Sequence, residues 1–448
     1  MLPIVTPEEM AAIDAAAPEP TEVLIGRAGA AVATEAVRML GGHYGRRVVV
    51  VAGKGNNGND GRDAAERLQR RGVRVQVLDA VGAPDMLPPA DLVIDAAYGT
   101  GFRGDYPAPD PCDAPVLAVD IPSGVDGLTG AAGADAVAAD RTVTFAALKP
   151  GLLFEPGRSL AGEVVVADIG LDCSDTRSHM VEASDVAGWI PPRPAETHKW
   201  RSAVWVIGGS PGMTGAPVLA GTAAARAGSG YVRLSAPGVP PPLPGAPLEL
   251  VGLDLPDHGW ADAVLAGSER FRALVIGPGL GQHGAADVRR VVAESIVPVI
   301  VDGDGLGALG RDCARLAHPT TVLTPHDGEF ERLCGHRPGA DRVDAARRLA
   351  EATNAIVVLK GPTTVVANPD GDVLVVTAGD ARLATAGTGD VLSGVIAALI
   401  ARGLDAFRAA AAGAFVHGRA GMLGPATGTV ASDVAAHLPD VFAELEDV

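Results

Sequence analysis

The sharpest chemical pattern in this 448-residue chain is ATAGTGD, residues 384–390, which runs directly into the apolar stretch VLSGVIAALIA. Gly387 and Gly389 free the backbone to turn several amides toward one point. A helix beginning near Asp390 aims its positive end at the same point. Such a place holds a phosphoryl group, and Asp390 can take the proton of a hydroxyl attacking it. In isolation the same aspartate reads as an ordinary helix N-cap. Neighbouring segments favour chemistry: LKGPTTVV brings Lys360, Gly361 and Thr363 for a nucleotide's phosphates, and TPHDGEF brings His326 and Glu329. VIGPGLG and VDGDGL add glycine loops and acidic residues at two further strand ends.

The first half carries a second constellation. GKGNNGNDG contains Gly53-x-Gly55-x-x-Gly58, a formal match to a dinucleotide fingerprint. However, Asn56, Asn57, Asn59 and Asp60 crowd it with oxygen-coordinating groups that an ordinary fingerprint lacks. Read alone, it is a polar turn leading into a helix beginning at Arg62. Two more strand ends argue for a shared site. Asp95 closes LVID ahead of AAYGTGFRG, whose Gly99, Gly101 and Gly104 leave amides open, and Asp120 closes VLAVD ahead of Pro122-Ser123-Gly124. Three such loops on consecutive strands point to one pocket at the carboxyl edge of a parallel sheet. Lys149, in LKPG, reads either as a further polar group of that pocket or as a solvated loop lysine.

The elements that must position these residues follow the same logic. RVVVVA, a helix and VRVQVLDA form a βαβ unit, and LVIDAAY, VLAVDIP, RTVTFAA and EVVVADIG continue as strands. IPPRPAETHKW, residues 190–200, has no periodicity and marks a boundary, giving domains 1–192 and 193–448. The second half restarts with AVWVIGGS and adds YVRLSA, ALVIGPGLG, VPVIVDGDGL, TVLTPHDGEF, AIVVLKGP and VLVVTAG. Both halves read as doubly wound α/β. Apolar residues at 47% and charged residues at 20% suit buried parallel sheets, and a formal charge of −18 excludes nucleic acid as a partner. The four cysteines form no CxxC pair, so neither a disulfide framework nor a zinc site is expected. MLPIVTPEEM lacks the regions of a signal peptide, and the apolar run 391–401 is too short to span a bilayer. A cytoplasmic protein with no membrane partner is expected. A homo-oligomer is the expected assembly, although no residue pattern specifies it.

GNNGNDG, DAAYGTGFRG, VDIPSGVDGLTG and TFAALKPG closely resemble the epimerase domain of the NAD(P)H-hydrate repair family, in the family's order. The resemblance implies a Rossmann-like sheet in which Asn56, Asn57, Gly58, Asn59 and Asp60, with Gly99, Thr100, Gly101, Phe102, Arg103 and Gly104, hold the hydrate. It further implies a potassium ion on Asn57, Asp95 and Ser123, and Asp120 as the acid/base at the nicotinamide ring. Asn59 replaces a glycine usual in the family. If that position requires positive φ, asparagine is the next most tolerant residue. HK…VIGGS, Gly215-Ala216, GPGLG, TPHDGEF, LKGPTTVV and GTGD resemble the family's dehydratase domain, which has a ribokinase-like fold. That implies hydrate contacts from Ala216, Gly279 or Gly281, His326 and Asp390. It also implies a nucleotide, ADP or ATP, on Lys360, Gly361, Pro362, Thr363, Thr364 and Gly389, with Mg2+ bridging its phosphates. The implied function is repair of NADHX and NADPHX: epimerisation of the R and S hydrates, then ADP-dependent dehydration of S. The alternative is a ribokinase-like small-molecule kinase with an N-terminal nucleotide-sensing domain, which leaves the asparagine-rich constellation unexplained.

Overall fold

The computed structural model describes every residue except His283. The chain divides into two compact units, Leu2–Ser178 and His179–Val448, with Met1 grouped with the second. The division precedes the proline-rich segment at residues 190–200, because the helix Ala183–Trp189 packs within the second unit's core through Val186.

In the first unit six parallel strands lie in the order Arg74–Asp79, Arg47–Ala52, Leu92–Ala96, Val116–Val119, Arg141–Phe145, Glu163–Ala167. The valine run of Arg47–Ala52 is buried on both faces, which is why it shows no alternation. The helices Thr21–Leu40 and Asn56–Arg70 cover one face, where Val32, Ala36, Ala64 and Leu68 meet Val50, Ile94 and Leu117. Each fully buried aliphatic side chain contributes about 1.5–3 kcal/mol. Strand order reverses between Arg47–Ala52 and Leu92–Ala96, so the loops after these two strands diverge and leave a crevice between them.

The helix after Arg47–Ala52 starts at Asn56, six residues before the expected start at Arg62. Asn56, Asn57, Gly58, Asn59 and Asp60 are its first turn, not a loop, and Gly55 is the N-cap. Asn59 therefore has no positive φ, and its side chain is exposed. What the segment does require is glycine at position 58, where an added Cβ would lie 2.0 Å from the Gly53 carbonyl oxygen.

In the second unit the strands run Leu250–Gly252, Tyr231–Ser235, Ala203–Ile207, Ala273–Ile276, Val299–Val301, Thr321–Leu323, Ile356–Leu359, Thr364–Ala367, Val373–Val376. The first seven are parallel, and each of the last two pairs antiparallel with the strand before it. LKGPTTVV is thus a hairpin, with Leu359 opposite Val365, where a strand–loop unit was expected. The helix Thr388–Ala401 is buried nearly all round, between the sheet and the helices Gly215–Arg226 and Ala406–Leu423, which accounts for its uninterrupted apolar sequence. Among the described residues no helix is long and apolar enough to cross a membrane.

Candidate active sites

The crevice of the first unit opens into a cavity of about 620 Å³. Its walls include Asn56, Asn57 and Asp60 from the helix start, Gly99, Thr100, Gly101, Phe102 and Arg103 from the next strand's loop, and Asp120 from the one after. Gly58, Asn59 and Gly104, expected among the binding residues, do not line it: Gly58 packs under the helix start, and the other two face solvent.

Asp120 is held in the left-handed region, φ 67°, a strained conformation for a non-glycine residue. What it gains there is a partner. Lys149 Nζ lies 2.7 Å from Asp120 Oδ1, donates to Thr144 Oγ1 at 2.9 Å and to the Phe145 carbonyl at 2.9 Å, and is only 1% exposed. The solvated reading of Lys149 is therefore wrong. A fully buried ammonium persists only where each of its protons finds an acceptor.

Asp95 is also buried. It accepts from the Ser123 amide at 2.8 Å and the Ser123 hydroxyl at 2.7 Å, and burial pushes its carboxyl up to about 6 against those hydrogen bonds. Ser123 Oγ in turn accepts from the Tyr98 amide at 2.9 Å. Next along this loop, Gly99 lies against both Asn57 and Asp120. Both polar side-chain atoms of Asn57 are buried without a hydrogen-bond partner. Burial also pushes Asp60 up to about 8, with Asp120, Asp63 and Asp14 adding to the effect. Sequence reasoning missed the contribution of the N-terminal helices: Met10, Asp14, Thr21, Leu24 and Ile25 also line the cavity. They sit on regular helical stretches with no turn signature to mark them.

In the second unit the expected residues converge at the carboxyl ends of the parallel strands. The Gly209 amide donates to the Pro278 carbonyl at 2.7 Å, tying together the loops on either side of this sheet's own strand-order reversal. Gly279 adopts φ 65°, and an added Cβ there would lie 3.2 Å from the Cβ of Ala216 and 2.8 Å from the Met213 carbonyl oxygen. Gly281 touches the same methionine and donates its amide to Asp304 at 2.8 Å. His326 caps the helix Asp327–Cys334, its Nδ1 accepting from the Gly328 and Glu329 amides at 3.0 and 3.4 Å, and its ring remains exposed. Capping therefore fixes the tautomer that carries its proton on Nε2.

Lys360 Nζ bonds Asp302 at 3.0 Å and lies 3.4 Å from Glu329. Burial opposes its charge, but the two carboxylates outweigh burial and hold its pKa above the ordinary lysine value. A Cβ at Gly389 would meet Lys360 Nζ at 3.4 Å, so the ammonium stands against the glycine turn. Gly361 and Pro362 are exposed at the hairpin tip, Thr363 is buried, and Thr364 begins the returning strand. Gly387, φ 92°, is the N-cap, and Asp390 lies in the first helical turn. Burial pushes Asp390 up to about 7; Asp302 adds to this, Lys360 opposes it, and Glu329 and Asp304 add further. Two residues escaped sequence reading. Thr324 donates to Asp302 at 2.7 Å. His417 is buried, its Nε2 has no hydrogen-bond partner among the described residues, and its pKa is depressed to about 4, chiefly by burial. Thr324 opens the TPHDGEF segment but carries no signature of its own there, and His417 sits within an Ala/Gly-rich helix.

Each unit thus places a carboxylate and glycine-freed amides at a switch point of a parallel sheet, the arrangement of an α/β enzyme acting on phosphorylated ligands. A family model described as NAD(P)H-hydrate dehydratase matches residues 204–442, and one described as YjeF-related protein N-terminus matches residues 21–88 and 79–151. The chain is 36% identical to the bifunctional NAD(P)H-hydrate repair enzyme of Moorella thermoacetica, over 93% of this chain and 92% of that protein. To its counterpart from Mycobacterium leprae it is 38% identical, over 95% and 96%. Among solved structures, the ADP/ATP-dependent NAD(P)H-hydrate dehydratase from Bacillus subtilis, co-crystallized with ATP/Mg2+, is 30% identical with a TM-score of 0.51, covering 59% of this chain and 98% of that one. A ribokinase-like superfamily protein from Enterococcus faecalis, 21% identical with a TM-score of 0.53, shares the fold. The chain belongs to the family of bifunctional NAD(P)H-hydrate repair enzymes, and both of that family's domains are present in it. The kinase-with-sensor reading does not account for relatives that match over both halves.

Proposed function

We propose that the chain repairs NADHX and NADPHX, with epimerisation in residues 1–192 and ADP- or ATP-dependent dehydration of the S hydrate in residues 193–448. The observation that carries this reading is the buried Lys149–Asp120 pair in a cavity of nucleotide size, on the same chain as a raised Asp390 at a glycine-capped helix start. In the first cavity the hydrate lies against residues 56, 57, 60 and 99–103. The ring nitrogen's lone pair expels the C6 oxygen, and water returns to the other face, with Asp120 handling the proton at C6.

Asn57, Asp95 and Ser123 fit potassium: their donors are hard oxygens, the set carries one charge, and Asn57 has an unpartnered buried carbonyl to offer. Potassium there would neutralise Asp95. In the second site Ala216, Gly279, Gly281 and His326 hold the nicotinamide portion, and Lys360, Gly361, Pro362, Thr363, Thr364 and Gly389 hold the nucleotide. Asp390 takes the proton of the C6 hydroxyl as that oxygen attacks the terminal phosphorus of ADP, releasing AMP. The ring nitrogen then expels phosphate from C6, and loss of the C5 proton restores the dihydronicotinamide. Mg2+ would accompany the nucleotide, neutralising its phosphates and held largely through water.

Chromatography of R and S hydrate with purified protein and ADP tests the whole. D120N should stop consumption of R while S is still consumed, and D390N should stop consumption of both while R and S still interconvert. Loss of neither activity in the two variants would overturn the reading. We also propose a cytoplasmic homo-oligomer. The four cysteines are free, in keeping with a reducing compartment, and a monomer in analytical ultracentrifugation at micromolar concentration would overturn the assembly.

A further inference from the structure

Resting on the epimerase reading of the first unit, we propose that Asp60 is a second catalytic residue there, the acid that protonates the departing C6 oxygen while Asp120 acts as base. The chemistry requires two such groups. Hydroxide is a poor leaving group, so the oxygen must receive a proton as C6–O breaks, and the incoming water must lose one as the new bond forms. Asp120 is paired with the buried Lys149 ammonium at 2.7 Å, an arrangement that suits the role of base. The donor must be a neutral acid facing the same cavity.

Asp60 meets that description by position. It lines the cavity from the helix start, is 7% exposed, and has no hydrogen-bond or ion-pair partner among the described residues. Among the described residues no cation compensates its charge. The charged groups acting on it are all carboxylates: Asp120 from a strand end, Asp63 from its own helix and Asp14 from the helix Pro7–Ala16. The other cations along the cavity, Lys54 and Arg103, lie on its exposed rim, and Lys149 is committed to Asp120. The ordinary explanation for a buried aspartate, a helix cap or a salt bridge, is therefore absent. Burial together with like charges pushes its carboxyl up to about 8, so it carries its proton at neutral pH.

The step balances. Asp60 gives its proton to the C6 oxygen, the ring nitrogen's lone pair forms N1=C6, and water departs. A water attacks C6 from the other face, the N1=C6 pair returns to nitrogen, and the excess proton passes to Asp120. Transfer of that proton from Asp120 to Asp60 within the cavity resets both groups.

The test follows interconversion of purified R and S hydrate in the full-length protein without ADP, above the uncatalysed rate. Wild-type kcat should fall above pH 8, roughly tenfold per unit. Asp60→Asn should lower kcat about 10²–10⁴-fold with KM changed by less than about threefold, and its residual rate should lack the alkaline fall. Asp60→Ala should recover with added formate but not formamide, an outcome that misfolding could not produce. Retention of kcat in Asp60→Asn, a defect confined to KM, or failure of formate to rescue would each overturn the assignment. Absence of interconversion by the wild-type chain would instead bring down the epimerase reading itself.

Discussion

Asp390 is placed so that its charge state should govern dehydration, and the structure sets the pH at which that happens. Burial, Asp302, Glu329 and Asp304 push its carboxyl up to about 7, with only Lys360 opposing. A base must be ionised to accept a proton. The ionised fraction rises from roughly one-eleventh at pH 6 to ten-elevenths at pH 8, so kcat/KM for S hydrate with ADP should climb about tenfold across that interval and then level. Lys360→Met removes the one attraction and should carry the midpoint upward. Asp390→Asn should flatten the profile at a rate about 10²–10⁴-fold lower.

The same shift has a thermodynamic face. The folded state binds this proton more tightly than the unfolded chain, so stability is fully present near pH 4 and is lost as pH rises through 7. The loss is at most about 4 kcal/mol, since each pKa unit is worth 1.36 kcal/mol and the side chain is only half-buried. Asp390→Asn should therefore raise the thermal midpoint at pH 8 and leave it unchanged at pH 4, while lowering the dehydration rate at pH 8. A wild-type rate profile that is flat between pH 6 and 8, or a variant no more stable than wild type at pH 8, would refute the reasoning.

Lys149→Met strands a half-buried carboxylate and should destabilise by about 3–5 kcal/mol, read as a lower thermal midpoint, with epimerisation lost and S-hydrate dehydration retained. Potassium, but not sodium, should raise the thermal midpoint of wild type, and Asn57→Leu should erase the difference; equal shifts in the variant would remove Asn57 from the cation's shell. At His326, asparagine keeps the cap but removes Nε2, so KM for the hydrate should rise without loss of stability. Alanine there should cost about 1 kcal/mol in addition, measured by urea unfolding.

Both sheets could be read from the sequence because buried parallel strands announce themselves as valine-rich runs ending in glycine, as at residues 47–53 and 273–277. The residues at those ends came with them: Asp120, Asp390 and most of the asparagine segment stand where the strands deliver them. The asparagine segment reads as a loop because propensity disfavours Asn and Gly in helices. Here burial of Gly58 beneath the turn and tertiary packing decide otherwise. Lys149 was undecidable from sequence because its partner lies 29 residues upstream, and only the fold supplies the pairing. Asp14 and His417 reach their sites from helices whose sequences mark a helix and nothing more.

The hairpin that carries Lys360 has a consequence for how this enzyme can change. Four of the loops around the second site follow the parallel strands Ala203–Ile207, Ala273–Ile276, Val299–Val301 and Thr321–Leu323, where added length spills harmlessly into a connection. The segment 360–364 is bounded instead by a ladder in which Leu359 faces Val365 and Val358 faces Val366. One inserted residue would slip that ladder and exchange the inward and outward faces of the returning strand. The side chains on this tongue are thus open to exchange, while its length is locked by the strands that hold it.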